Sequence, residues 1–236
     1  MYRNFKLKNP EEWYKHCYSE YFTEKYPPNF FKNYIDIGAC GTCHKWHINH
    51  MGKDNPETLC IGFEPEEKLF NIIKTECSSL SNVHLHKSFF GKDISLKELI
   101  KKYNIDPKEK WCLSCDCEGD EKYLFNNKDE LKLLKTAEHI AFEIHPSMCN
   151  IGYEKFVELF IEHFGDTHKI IRTFHGGKKN TNTVFDNSSF FLVKFESFNK
   201  IIKPTIDNLK YNWSKAHHCA IMNGRLRPEH FITYIN

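Results

Sequence analysis

Four short stretches of this 236-residue chain bring acids, a histidine and glycines to places where they could act together. The first, Asp36-Ile37-Gly38-Ala39-Cys40-Gly41, completes the apolar run that starts at Asn33 and reads as a buried strand feeding a tight turn. Glycines in such a turn let the backbone approach a ligand, and a following helix offers its positive amino end. The second, Glu64-Pro65, closes a similar run, Leu59 to Phe63. An acid there can accept hydrogen bonds from both hydroxyls of a ribose. A dinucleotide fold would need G-x-G-x-x-G, but Cys40 and Cys43 stand where its later glycines belong. An Asp before G-x-x-G, followed by an acid ending the second strand, points to S-adenosylmethionine rather than NAD. The plainer alternatives are that Asp36 caps its own turn and that Glu64 is a surface acid before Pro65.

The other two stretches are Asp116-Cys117-Glu118-Gly119-Asp120-Glu121 and Glu143-Ile144-His145-Pro146. Parallel neighbouring strands would direct Asp116, Glu118, Glu143 and His145 into one crevice. Methyl transfer to a hydroxyl is an in-line displacement at a sulfonium carbon, and the hydroxyl must lose its proton as it attacks. His145 is the natural base near neutral pH. Asp116 and Glu118 could orient the acceptor or hold a divalent cation that acidifies its hydroxyl. Asp120 and Glu121 are expected to do no more than cap the next helix.

The elements that must position these residues follow from periodicity. Strands are expected over Asn33–Ile37, Leu59–Phe63, Val83–Phe89, Trp111–Cys115 and His139–Glu143. Between them, Leu69, Phe70, Ile72, Ile73 and Cys77 recur at helical spacing. Ser95-Leu96-Lys97-Glu98 is a capping box opening a helix with Leu96, Leu99, Ile100 and Tyr103 inward. Leu131, Leu133 and Leu134 lie on one further helix. Phe156, Leu159, Phe160 and Phe164 lie on another, stopped at Gly165. Strands alternating with such helices predict an α/β fold with a doubly wound, mostly parallel sheet. Beyond Lys169, Phe190–Phe195, His218–Met222 and Phe231–Ile235 look like antiparallel edge strands. Residues 1–30 read as an N-terminal extension, with a helix over Glu11–Phe22, and 31–236 as the principal domain.

Composition narrows the classes. Lys and Arg number 33 against 31 Asp and Glu, a formal charge of +2, so a phosphate-neutralising face is not a dominant feature and nucleic acid is a disfavoured partner. No apolar stretch approaches the ~20 residues of a membrane span. The start is charged rather than signal-like, and ten cysteines then read as reduced thiols in the cytoplasm.

Five blocks in order carry a resemblance: Tyr34-Ile35-Asp36-Ile37-Gly38-Ala39, Gly62-Phe63-Glu64-Pro65, Ser95-Leu96-Lys97-Glu98-Leu99-Ile100, Asp116-Cys117-Glu118-Gly119-Asp120-Glu121 and Ile140-Ala141-Phe142-Glu143-Ile144-His145. Over residues 33–146 the chain resembles the FkbM family of methyltransferases. The resemblance implies a class I methyltransferase, Rossmann-like fold with S-adenosylmethionine as donor. It implies O-methylation of a small hydroxylated acceptor such as a saccharide or natural product. It implies cofactor roles for Asp36, Gly38 and Glu64 and a site role for Asp116 and Glu118; Ala39, Gly41, Pro65, Ser88 and Asp116 are expected to line the cofactor site with them. The family commonly has Asn where Cys40 stands and Lys where Ser114 stands.

Other residues are open to two readings. Cys40-x-x-Cys43 and Cys112-x-x-Cys115-x-Cys117 have zinc-like spacing, but Cys112 and Cys115 fall on opposite faces of a strand. His84 and His86 share a strand face, and His217 and His218 are adjacent. Each pair reads more simply as packing or surface than as ligands. Lys178-Lys179-Asn180-Thr181-Asn182 is a polar loop that could flank the crevice. Rival functions are an amino-directed methyltransferase and a non-catalytic binding domain of the same fold. Against the first, the string Tyr26-Pro27-Pro28-Asn29-Phe30 precedes the first strand, whereas nucleic-acid amino methylation places such a motif after the fourth.

Overall fold

A computed structural model describes residues 26–39, 48–117, 119–125, 127–145, 151–174, 188–204 and 232–236. Five strands form its parallel part: β1 (Asn33–Ile37), β2 (Leu59–Phe63), β3 (Val83–His86), β4 (Trp111–Cys115) and β5 (His139–Ile144). The helices between them are α1 (Ile48–Asp54), α2 (Glu67–Glu76), α3 (Leu96–Tyr103) and α4 (Lys128–Leu134). After β5 come α5 (Tyr153–Phe164), β6 (His168–Phe174), β7 (Ser188–Lys194) and β8 (Ile232–Tyr234). The eight strands pair in the order β3-β2-β1-β4-β5-β7-β6-β8. β1 is hydrogen-bonded in parallel to both β2 and β4, and β6, β7 and β8 run antiparallel. The chain therefore reverses its direction of winding between β1 and β4, where doubly wound sheets form a crevice at the carboxyl ends of their strands.

Period-two alternation assigns the sheet's two faces. Ile35, Ile37, Leu113, Cys115, Ile140, Phe142 and Ile144 face a core built with Leu96 and Leu99 of α3, Leu131 and Leu134 of α4, and Phe156, Phe160 and Phe164 of α5. Tyr34, Cys60, Cys112 and Ala141 face a second core with Ile48 of α1, Ile73 of α2 and Phe198 and Ile202 beyond β7. Helices thus cover both sides, as a parallel sheet requires. The ring of Phe142 stacks on Phe160 at 5.4 Å, which keys β5 to α5.

The capping box at Ser95 forms as expected: the Ser95 hydroxyl accepts from the Glu98 N–H, and the Glu98 carboxylate accepts from the Ser95 N–H. Asn104 then ends α3 in the left-handed conformation. The third strand is shorter than its apolar run, stopping at His86 rather than Phe89. The Asp93 carboxylate accepts from the Phe89 N–H at 2.8 Å, and the Asp93 N–H donates to the Phe89 carbonyl, so 89–93 closes into a turn instead of extending the ladder. Strand β6 has no counterpart among the expected elements. Its Ile170 and Ile171 point to opposite faces and each is buried in a different core, which hides the two-residue period. The expected edge strands at 190–195 and 231–235 are present as β7 and β8. The expected helix at 11–22 and strand at 218–222 lie outside the described residues.

Candidate functional site

At the end of β1, Gly38 has φ +83° and hydrogen-bonds through its N–H to the Phe63 carbonyl at 2.9 Å. A Cβ at Gly38 would stand 1.8 Å from the Asp116 carbonyl oxygen. The glycine is therefore demanded by the protein's own backbone, where the β1 turn passes the end of β4, before any ligand is considered. The Asp116 N–H donates to the Ile37 carbonyl at 2.9 Å, which pins the same junction. Ala39 is fully buried, and its N–H also donates to the Phe63 carbonyl.

Asp36 is buried, and its Oδ2 accepts from the N–H of Ile48, the first described residue of α1, at 3.2 Å. This carboxylate fastens the helix to the sheet, which is the capping role its position allows. Gly62 makes room for that helix, since a Cβ there would meet Ile48 Cδ1 at 2.8 Å. Glu64 follows β2 and is also buried. Its Oε1 accepts from the Glu66 N–H at 2.8 Å, while Oε2 has no hydrogen-bond partner among the described residues. Burial lifts its carboxyl above the usual range, partly offset by that backbone hydrogen bond. Pro65 is half-buried beside it, and Ser88 sits in the bend just beyond β3.

A second group of polar side chains gathers around His145, one residue past β5. Its ring is buried, with Nε2 3.7 Å from Asp116 Oδ1 and 3.9 Å from Glu143 Oε1. Asp116, Glu143 and His145 each offer one ligand atom, all within 4.8 Å of one another, so the three could hold a metal ion. On the opposite edge of the imidazole, Nδ1 lies 2.9 Å from Glu121 Oε1.

Glu121 corrects the sequence-based expectation. It does not serve as an exposed helix-start acid but is fully buried, opening the 3-10 segment Glu121–Phe125. Its carboxylate also accepts from the Gly119 N–H at 3.3 Å. No local pattern marks it, because its partner is 24 residues away in sequence. Asp120 is half-buried in the same turn, and its carbonyl accepts from the Tyr123 N–H. Gly41, Glu118, the Cys40/Cys43 pair, the 178–182 loop and His217/His218 lie outside the described residues.

Among the described residues the cysteines do not converge on an ion. Cys112 belongs to one core and Cys115 to the other, so the sheet itself separates them. Cys115 instead faces Cys117, with sulfurs 3.6 Å apart; burial pushes the Cys115 thiol up, while at Cys117 the hydrogen bond to Cys115 pulls the thiol down and is outweighed by burial and the nearby acids. His86 donates to or accepts from the Tyr103 hydroxyl at 2.8 Å and stacks on Phe63, so it packs β3 against α3. Ser114 is buried within β4.

Among the described residues, no helix is long and apolar enough to cross a membrane. No family model and no curated protein matches the sequence. Solved structures match its fold. An rRNA methylase from Streptococcus thermophilus superposes with TM-score 0.50 at 10% identity, over 75% of this chain and 93% of that one. A putative rRNA-methylase from Clostridium thermocellum gives TM-score 0.47 at 13% identity, over 80% and 97%. The N-terminal domain of EvdMO1 with SAH bound gives 0.43 at 12% identity, over 79% and 81%. At such identities the likeness speaks to architecture. The strand order and the helices on both faces are those of the Rossmann-like class I methyltransferase fold.

Proposed function

We propose that this chain is an S-adenosylmethionine-dependent O-methyltransferase of the FkbM kind. It would act in the cytoplasm on a hydroxyl of a small acceptor such as a saccharide or natural product. The observation that carries the reading is the meeting of Asp116, Glu143 and His145 at the carboxyl ends of β4 and β5, next to the switch in strand order. Glu64 fits a ribose: a buried acceptor at the end of β2, with one oxygen unused by the described residues, answers two hydroxyl donors. Bound S-adenosylmethionine would supply a methyl group on a sulfonium whose carbon–sulfur bond electrons stay with sulfur. The chain's own residues then hold the acceptor oxygen in line and take its proton at His145 Nε2. Asp116 accepts from a neighbouring hydroxyl of the acceptor and so orients the attacking one.

A second reading rests on the same cluster. The ligand atoms of Asp116, Glu143 and His145 could hold a divalent cation that acidifies the hydroxyl directly. Among the described residues this set contains Asp116 of the expected pair together with Glu143 and His145 from the end of β5; Glu118 lies outside them. An amino-directed or RNA acceptor is the rival; the near-neutral net charge of +2 supports a small uncharged acceptor over RNA. The deciding experiment supplies S-adenosylmethionine labelled in the methyl group to the purified protein, with a panel of glycans and polyhydroxylated metabolites beside total RNA. Label in ether linkages of the small acceptors supports the proposal. Label found in RNA nitrogen alone, or no binding of the donor by calorimetry, overturns it.

A further inference from the structure

We propose that Glu121 is a positioning residue that sets the tautomer and ring orientation of His145, so that Nε2 is the atom presented to the crevice. This rests on reading the crevice as the site where the acceptor is activated. A fully buried carboxylate is costly unless its oxygens are satisfied. Glu121 has no exposed surface, and its Oε1 meets the His145 Nδ1 at 2.9 Å and the Gly119 N–H at 3.3 Å. When the neutral ring donates from Nδ1 to a carboxylate, its lone pair must lie on Nε2. That is the atom facing Asp116 at 3.7 Å and Glu143 at 3.9 Å. The other tautomer would turn a lone pair against the Glu121 carboxylate at 2.9 Å. Asp116 and Glu143 stand from Nε2 at 3.7 and 3.9 Å, beyond hydrogen-bond reach, so the closer carboxylate decides.

The support behind Glu121 is rigid. Gly119 reaches it with φ +110°, a conformation that side chains rarely adopt. Further along the same 3-10 segment, Leu124 is buried in the core, and the Phe125 ring packs 5.8 Å from Phe142 and 5.7 Å from Phe160. Glu121 is thereby tied to β5 and α5, the elements that frame His145. The same bond serves either route to activation. A base needs a free Nε2 lone pair, and so does a histidine that ligates a cation, which is commonly oriented by a carboxylate on its other nitrogen.

The test is nitrogen NMR of histidine-labelled full-length protein, recorded on the neutral rings, with His145 assigned by the signal lost in His145→Asn. The expected wild-type spectrum has Nδ1 protonated and Nε2 bearing the lone pair, by roughly tenfold or more, the ratio that one hydrogen bond to a charged group supports. Glu121→Gln, nearly isosteric, should retain that tautomer because its side-chain carbonyl still accepts. Glu121→Ala should shift the ring toward the Nε2-protonated form. A wild-type His145 protonated on Nε2 would overturn the proposal, and so would a folded Glu121→Ala protein that keeps the Nδ1-protonated tautomer. Neither donor nor acceptor is present in these measurements, so their outcome is independent of whether methyl transfer is found.

Discussion

Gly38 and Asp116 meet backbone to backbone, so closely that a Cβ on the first would lie 1.8 Å from the carbonyl oxygen of the second. The contact joins the two halves of the crevice. In the proposed reading, Gly38 leads from β1 to the donor side, and Asp116 opens the acceptor side after β4. Gly38→Ala cannot be absorbed by a side-chain shift, because the obstructing atom is main chain and φ is +83°. The expected loss is at least ~1–3 kcal/mol from the strained conformation alone. Urea denaturation would read it, and a variant as stable as the parent would mean that the junction is looser than described.

Glu64→Ala removes a buried acceptor whose Oε2 is unused by the described residues. Two hydrogen bonds to a charged acceptor contribute ~1.5–3 kcal/mol each, so affinity for S-adenosylmethionine should fall at least tenfold. Calorimetry on both proteins gives the comparison. Equal affinities would take Glu64 out of the donor site.

His145→Ala should lower turnover by ~10²–10⁴-fold if His145 is the base, with donor affinity almost unchanged. If the cluster with Asp116 and Glu143 instead holds a cation, a chelator should abolish turnover and magnesium restore it. The His145 variant would then bind manganese more weakly, which electron paramagnetic resonance detects. Full activity of His145→Ala in the presence of chelator defeats both routes.

Two buried histidines away from the crevice give a pH dependence of stability. His139 lies under Tyr26, whose hydroxyl is 3.0 Å from Nδ1, and His168 Nε2 is 2.9 Å from the Ala137 carbonyl. Burial lowers their pKa values from 6.5 to about 3 for His139 and about 4 for His168. Between those values and 6.5 the unfolded chain binds more protons than the folded one, so stability rises with pH through this window and levels off above it. From pH 7.5 to 5 the two sites should cost roughly 2–4 kcal/mol together. Denaturant midpoints that do not move over that range would show that the two rings are hydrated or charged when folded.

The apolar runs at Asn33–Ile37, Leu59–Phe63, Trp111–Cys115 and His139–Glu143 identify the parallel strands because each is buried on both faces. Ser95 and Glu98 mark the start of α3 for a similarly local reason: the two groups that satisfy each other are three residues apart. Such short-range constraints also placed Asp36, Glu64, Asp116, Glu143 and His145 at strand ends. What they could not decide was partnership. Glu121 and His145 are neighbours only because β4 and β5 pair in register and the 3-10 segment folds back against α5. The same folding turned Glu121 from an apparent helix-start acid into a buried one. Cys112 and Cys115 show the reverse case, a spacing that suggests a shared ion and a sheet that divides its members between two cores. Residues three apart on a strand must face opposite ways, so this much followed from the chain itself. Which carboxylate stands behind which nitrogen is set by contacts across the fold, and only the tertiary structure could supply it.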